Sequence, residues 1–371
     1  EAVPLYAIGL FVMCMFFHGE LAAMKPAPRY LTSFYLMVAL GGALGGLAVG
    51  LVAVKIFNTY YEFGIGLVVT LLIAAYVTRA MLQFVPMLAL ATAGFTGYTL
   101  YEYVGMLSKD ARVMTRNFYG TLRVKDVGGD TEQDTVRRLM HGIIMHGEQY
   151  LAPERRSEPT TYYGPSAGVG RALKAANSPA IRVGVVGLGT GTLATYGRRG
   201  DVYRFYEINP QVVEIARKEF YFLGDSAARI ETVLGDARLT MEREPPQNYD
   251  LLAIDAFSSD SIPVHLITRE AMAVYLKHIK PDGVIAFHVT NRFLRLAPVV
   301  KRIADEYKLH AAMITDDAED SDLAKTDWVL VTRNQALLER PAIAEFVSEI
   351  EDIPGMRGWT DDFNNLFQIL K

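Results

Sequence analysis

Ile181-Arg182-Val183-Gly184-Val185-Val186-Gly187-Leu188-Gly189-Thr190-Gly191-Thr192 is a near-continuous apolar strand that runs directly into a G-x-G-x-G loop. Threonine at position 192 separates the loop from the G-x-G-x-x-G dinucleotide fingerprint. Glycines at such a turn let a ligand approach the backbone and the N-terminus of the helix that follows. A plain strand–helix turn also uses glycine, so the loop alone selects no ligand.

Working outward, three acidic residues stand at the ends of the next three strands. Glu207 closes the second, in Tyr206-Glu207-Ile208-Asn209-Pro210, where a carboxylate can accept both hydroxyls of a ribose. Asp236 follows the third, in Gly235-Asp236-Ala237, placed to accept from an adenine amino group. Asp255 ends the fourth, in Ile254-Asp255-Ala256-Phe257-Ser258-Ser259-Asp260. Asp236 and Asp260 each precede a helical pattern and read equally well as helix caps. Four features in register around one rim point instead to nucleoside binding beyond the carboxyl ends of the strands.

The alternation continues. Strands are expected at 181–187, 202–207, 229–234, 249–255, 283–289, 310–314 and 327–332, with helices between them, for example 209–220 and 295–308. Apolar runs such as Leu251-Leu252-Ala253-Ile254 predict a sheet covered on both faces, a doubly wound α/β domain. Upstream, Phe118–Val124 and Arg138–Met145 flank a Gly128-Gly129-Asp130 turn signal and predict a small antiparallel sheet. Ser157 to Pro165 is a loop rich in Pro, Thr and Tyr.

The first 107 residues are different. They hold four basic and four acidic residues, leaving 33 of the 37 basic and 37 of the 41 acidic residues, and the whole net charge of −4, to the rest. Soluble domains carry about 25% charged residues, so a wholly soluble chain is disfavoured. Apolar runs at 5–17, 31–54, 64–78 and 84–101 predict about four membrane spans, 31–54 being closest to the required length of about 20 residues. Gly41, Gly42, Gly45, Gly46 and Gly50 suit close helix packing in lipid. The chain starts at Glu1 in an apolar run, which reads as a fragment with earlier spans upstream. The expected organisation is therefore a transmembrane region over 1–107, a small β-sheet domain over 108–165, and a Rossmann-like catalytic domain over 166–371. Cys14 is the single cysteine, which excludes a disulfide framework or a zinc cluster. His141 and His146 lack a carboxylate or cysteine at ligand spacing, so no metal is expected. A near-neutral balance without a Lys/Arg block argues against nucleic acid as a partner.

The glycine loop, Glu207 and Gly235-Asp236-Ala237 resemble a class I S-adenosylmethionine-dependent fold. Residues 110–300, with the small sheet, the Tyr162-Tyr163 loop and the D-x(4)-D segment after strand four, resemble the spermidine synthase (aminopropyltransferase) family. With the spans attached, the chain is similar to the multi-pass spermidine synthase-like group of bacteria, in which HGEL (His18–Leu21) and W-T-D-D-F (Trp359–Phe363) look familiar. The resemblance implies a donor that is S-adenosylmethionine or its decarboxylated form, and an amine acceptor. It implies donor contacts from Gly187, Gly189, Thr190, Gly191, Glu207, Ile208, Asp236, Ala237 and Gln149. It implies Asp255 as base toward the amine, and acceptor contacts from Tyr162, Tyr163, Asp260 and His288. A homodimer is the candidate assembly. Both donors are cytosolic, so the expected place is the bacterial inner membrane with the catalytic domain facing the cytoplasm.

Two departures from the family pattern keep the donor open. Soluble members carry aspartate in G-G-D-G, where this chain has Thr190, and D-S-S-D-P has two intervening residues where Asp255 and Asp260 have four. An aspartate at 190 would repel the carboxylate of intact S-adenosylmethionine; like charges ~4 Å apart cost about 4 kcal/mol at an effective dielectric of 20. Methyl transfer, cleavage of intact donor, and a non-catalytic nucleoside-sensing membrane protein therefore stand as alternatives. Trp359, Asp361 and Asp362 read either as a cover over the ligand or as a solvated tail.

Overall fold

The computed structural model describes residues 2–176, 178–257, 262–318 and 323–371, with side chains from residue 7 onward. Two compact units divide the chain, Glu1–Leu100 and Tyr101–Lys371.

The first unit is helical. Its helices are Ala2–Ala23, Leu31–Leu47 (prolonged by further helical turns to Ile56), Tyr61–Val77, and the start of Phe84–Ser108. Among the described residues, two segments are long and apolar enough to cross a membrane: Pro28–Ile56, with mean hydropathy 2.2, and Tyr61–Ala80, with 1.8. Ala7–Ala23 is a shorter apolar helix. Leu36, Met37 and Leu44 point outward and are exposed, which suits a lipid environment better than water. A Cβ added at Gly41, Gly42, Gly45, Gly46 or Gly50 would meet no atom within 4 Å, so the close packing suggested by their spacing is not seen among the described residues. Gly64 does pack closely; a Cβ there would lie 2.6 Å from the Leu100 side chain.

The second unit opens with a four-stranded antiparallel sheet of β1 (Ala111–Asn117), β2 (Gly120–Val127), β3 (Val136–His141) and β4 (Ile144–Tyr150), in that order. Of the two segments read from sequence as strands, Phe118–Val124 begins in a turn and Arg138–Met145 is broken by one. Phe118 and Tyr119 form the β1–β2 turn, and Gly142 and Ile143 the β3–β4 turn. Apolar Phe118 and Ile143 sit exposed at turn tips, and this concealed the breaks from a reading based on hydrophobicity.

The larger sheet contains β5 (Arg182–Val186), β6 (Val202–Glu207), β7 (Arg229–Leu234), β8 (Tyr249–Ile254), β9 (Ile279–His288), β10 (His310–Asp316), β11 (Thr326–Thr332) and β12 (Val347–Ser348). Their spatial order is β12-β10-β11-β9-β8-β5-β6-β7. The five strands from β7 to β9 are parallel, while β11 pairs antiparallel with both β9 and β10. Alternate residues of each central strand enter two separate cores. Val183, Val185, Leu251 and Ala253 face one, and Val186, Leu252, Ile254 and Phe287 face the other. Order reverses at β5, which lies between β6 and β8. Such a switch point opens a crevice beyond the carboxyl ends. The glycine loop departs from expectation in one respect: a five-residue 3-10 turn, Thr192–Tyr196, follows it rather than an α-helix.

The C-terminal segment is part of this body. Trp359 is 1% exposed within the second core and its carbonyl accepts from Arg269 N–H at 2.8 Å. Asp361 accepts two bonds from the Arg238 guanidinium, at 2.7 and 2.6 Å. The segment is thus packed rather than solvated, and Trp359 does not cover the ligand crevice. Trp359→Ala is expected to lower unfolding free energy by ~3–5 kcal/mol, the usual cost of emptying a large aromatic site; thermal denaturation of the full chain measures it.

Candidate active site

One crevice receives the carboxyl ends of β5 to β9 and one side of the small sheet. On one rim, Gly187 has φ +98 and a Cβ there would lie 2.4 Å from the Asp255 carbonyl oxygen. Glycine is required by both constraints. The result brings the loop backbone against the end of β8. Leu188 N–H donates to Glu207 Oε2 at 3.1 Å and Asn209 N–H donates to Oε1 at 2.8 Å. These bonds aim the carboxylate while leaving a lone pair on each oxygen for a diol. Burial lifts the Glu207 carboxyl above its usual range, although backbone N–H donors from Asn209, Leu188 and Ile208 pull the other way. Asp236 caps the helix Ala237–Arg243, with Oδ1 accepting Leu239 N–H at 2.9 Å. Its Oδ2 lies 3.1 Å from His265 Nε2. Both readings of Asp236 are therefore compatible, since the capping residue also lines the crevice.

At the centre stands Asp255, whose backbone N–H continues the sheet by donating to Val186 O at 2.9 Å. Its Oδ2 accepts from the Tyr163 hydroxyl at 2.7 Å and its Oδ1 lies 2.6 Å from His288 Nδ1. Burial, reinforced by the Asp255 carboxylate, pushes the Tyr163 hydroxyl well above its ordinary range, so it remains a donor. His288 is 3% exposed and pairs with Trp328 across β9 and β11, their rings stacked at 4.6 Å and 9°. Phe257 and Tyr162 complete the cage, at 4.9 and 5.3 Å from the imidazole. His288 Nε2 lies 2.9 Å from Thr290 Oγ1 and 3.1 Å from Thr326 Oγ1.

Of the residues singled out from sequence, Gly187, Gly189, Glu207, Ile208, Asp236, Ala237, Tyr162, Tyr163, Asp255 and His288 line this crevice. Thr190 and Gly191 do not. Thr190 is 1% exposed, bonded to Thr192 Oγ1 at 2.9 Å and turned against Gly147, where a Cβ would come within 2.5 Å of its hydroxyl. Gln149 is likewise absent from the lining. It is fully buried, with Nε2 donating to Arg156 O at 2.8 Å and Oε1 accepting Tyr221 N–H at 2.8 Å, so its amide joins two loops instead. Asp260 lies outside the described residues.

Sequence reading assigned no role to Thr290, Thr326, Trp328 or His265. His265 had no pattern to mark it, and Thr326 and Trp328 come close only through the antiparallel pairing of β11. Thr290 could have been found from its place two residues beyond His288. His141 and His146 reach the crevice wall beside Leu122, Leu139, Ile144 and Met145, giving this end an apolar character. Among the described residues, no group of three or more His, Cys, Asp or Glu side chains could hold a metal ion.

These features define a doubly wound α/β fold with an acidic rim at the carboxyl ends of its strands. The polyamine aminopropyltransferase of Vibrio vulnificus is 34% identical over 119 residues, covering 30% of this chain and 38% of that protein. The match therefore spans well under half of the relative's length. A probable spermidine synthase from Corynebacterium glutamicum superposes with a TM-score of 0.50 at 15% identity, over 66% of this chain and 95% of the other. The spermidine synthase of Thermotoga maritima gives 0.46 at 16% identity, over 66% and 80%. No family model matches the chain. The chain is thus similar in sequence to an aminopropyltransferase over 119 residues, and its α/β unit shares the fold of the probable spermidine synthase from Corynebacterium glutamicum.

Glu207 supplies the first test of the site. Glu207→Gln is expected to weaken methylthioadenosine binding by about ten- to a hundredfold, because bonds to a charged acceptor are the stronger kind. In the unsubstituted chain the affinity should fall on acidification, as the raised Glu207 carboxyl takes up a proton and loses acceptor capacity. Calorimetry at neutral and mildly acidic pH checks both.

Proposed function

We propose that this chain is a spermidine synthase-type transferase that moves a group from an S-adenosyl sulfonium donor to an amine acceptor. The observation that carries the reading is Asp255: a carboxylate 2.7 Å from Tyr163 Oη and 2.6 Å from His288 Nδ1, in the same crevice as Glu207 and Asp236. A pure nucleoside sensor has no use for this third, polar-caged carboxylate. Glu207 would hold the ribose, Asp236 the purine amino group, and Ile208 and Ala237 the purine faces. The sulfonium would then lie toward Asp255, and the amine would approach from the side of Tyr162 and Tyr163.

An amine that is protonated in water must become a neutral nucleophile. The Asp255–His288 pair is the proton-accepting element, and the rest of the catalytic effect is orientation of two reactants. Sulfonium charge disappears in the reaction, which favours the apolar surroundings provided by Phe257, Leu122 and Met145. The apolar segments Pro28–Ile56 and Tyr61–Ala80 would anchor the enzyme in a bilayer, with the soluble unit on the cytoplasmic side where S-adenosyl donors are made. Intact S-adenosylmethionine is the second donor to consider, because the glycine loop contributes neutral, inward-turned Thr190 where soluble family members have aspartate.

Incubation of the purified chain with each donor, with and without putrescine, followed by mass spectrometry, tests the proposal. Methylthioadenosine with spermidine supports aminopropyl transfer, and S-adenosylhomocysteine supports methyl transfer instead. Methylthioadenosine released from intact donor without an acceptor identifies cleavage. Asp255→Asn should reduce turnover by ~10²-fold or more while nucleoside affinity is retained, as expected on disabling a positioned acid–base group. Full turnover in that variant would remove Asp255 from the mechanism.

A further inference from the structure

We infer that Thr290, His288 and Asp255 form a proton relay, in which the acceptor's proton leaves through the Thr290 hydroxyl to His288 Nε2 while Asp255 holds the imidazole from its other side. The inference rests on the transfer reading above and specifies where the proton comes to rest. Thr290 Oγ1 lies 2.9 Å from His288 Nε2, and His288 Nδ1 lies 2.6 Å from Asp255 Oδ1. A hydroxyl, an imidazole and a carboxylate in this order form the arrangement in which histidine acts as base and the carboxylate fixes its tautomer. Asp255 Oδ1 calls for a proton on Nδ1, and this leaves the Nε2 lone pair facing Thr290.

Thr290 is prepared for the role. Its oxygen accepts Asp327 N–H at 2.8 Å and lies 3.2 Å from Thr326 Oγ1, so a substrate N–H that reaches it takes the place of that longer contact. It lines the crevice and is only half-buried, whereas His288 behind it is 3% exposed. The imidazolium that forms is provided for without movement of heavy atoms. Its Nε2–H can donate to Thr326 Oγ1 at 3.1 Å, its Nδ1–H stays on Asp255, and the Trp328 ring stacked at 4.6 Å presents a face that favours a cation. The titratable groups facing the imidazole are Asp255, Tyr163 behind it, and Tyr162 at 5.3 Å. Asp255 already accepts one bond on each oxygen.

The step balances. The amine lone pair forms the new N–C bond, and the C–S bond breaks with its electrons passing to sulfur, which becomes a neutral thioether. The proton that leaves is the one the bound ammonium gives up before attack, passed to Thr290 Oγ1 as the Thr290 proton moves to His288 Nε2, and the alkylated nitrogen keeps its remaining protons as a secondary ammonium. No oxidant or further reactant is needed.

The test compares kcat–pH profiles of the full chain with His288→Gln, Thr290→Ala and Thr290→Ser, using putrescine and whichever of decarboxylated or intact S-adenosylmethionine supports turnover. Methylthioadenosine affinity is measured on each variant as a check of folding and of the donor site. His288→Gln should lower kcat by ~10²-fold and lose the acid limb of the profile, since only a neutral imidazole takes the proton. Thr290→Ala should lower kcat by about tenfold and Thr290→Ser should recover most of that loss, in line with the size of a single acid–base contribution. His288→Gln that keeps the acid limb, or Thr290→Ala at wild-type kcat, overturns the relay while the transfer reading stands. A wild-type chain that binds methylthioadenosine but transfers nothing overturns the transfer reading itself, and the relay with it.

Discussion

Asp255 is the residue on which the site depends. Its backbone N–H extends β8 against Val186, its Oδ2 accepts from Tyr163 on the loop after the small sheet, and its Oδ1 meets His288 at the end of β9. One carboxylate thereby joins the parallel sheet, the loop and the antiparallel flank. A buried charge is tolerated only when it is paired and hydrogen-bonded, so each of these partners is as necessary to the carboxylate as it is to them.

The glycine loop serves the same centre from the other side. Gly187 allows the backbone to come against the Asp255 carbonyl, and Gly147 receives the Thr190 side chain, which thereby packs against the small sheet instead of the ligand space. The two halves of the α/β unit consequently share one crevice wall. Its polar residues gather at the strand ends, and the small sheet contributes apolar residues from β2, β3 and β4.

The contrast between the units has a similar physical origin. The helical unit leaves large apolar side chains outside, among them Leu36, Leu44 and Leu72, while the α/β unit buries its own in two layers on either side of one sheet. The first arrangement leaves an apolar surface open, and the second buries its own.

Period and punctuation in the chain were enough to place the seven expected strands of the large sheet, the acidic rim and the four apolar helical segments, because each is a local pattern of side-chain polarity. Glu207, Asp236 and Asp255 were legible for the same reason: a carboxylate directly after an apolar strand stands out. The turns at Phe118-Tyr119 and Gly142-Ile143 were hidden by apolar residues at exposed tips, and the removal of Gln149 and Thr190 from the crevice depended on partners far along the chain. Strand order, and with it the pairing of His288 with Trp328 and the arrival of Thr326, belongs to the tertiary structure alone. Local sequence determines which residues end a strand; only the pairing of distant strands decides which of those ends meet.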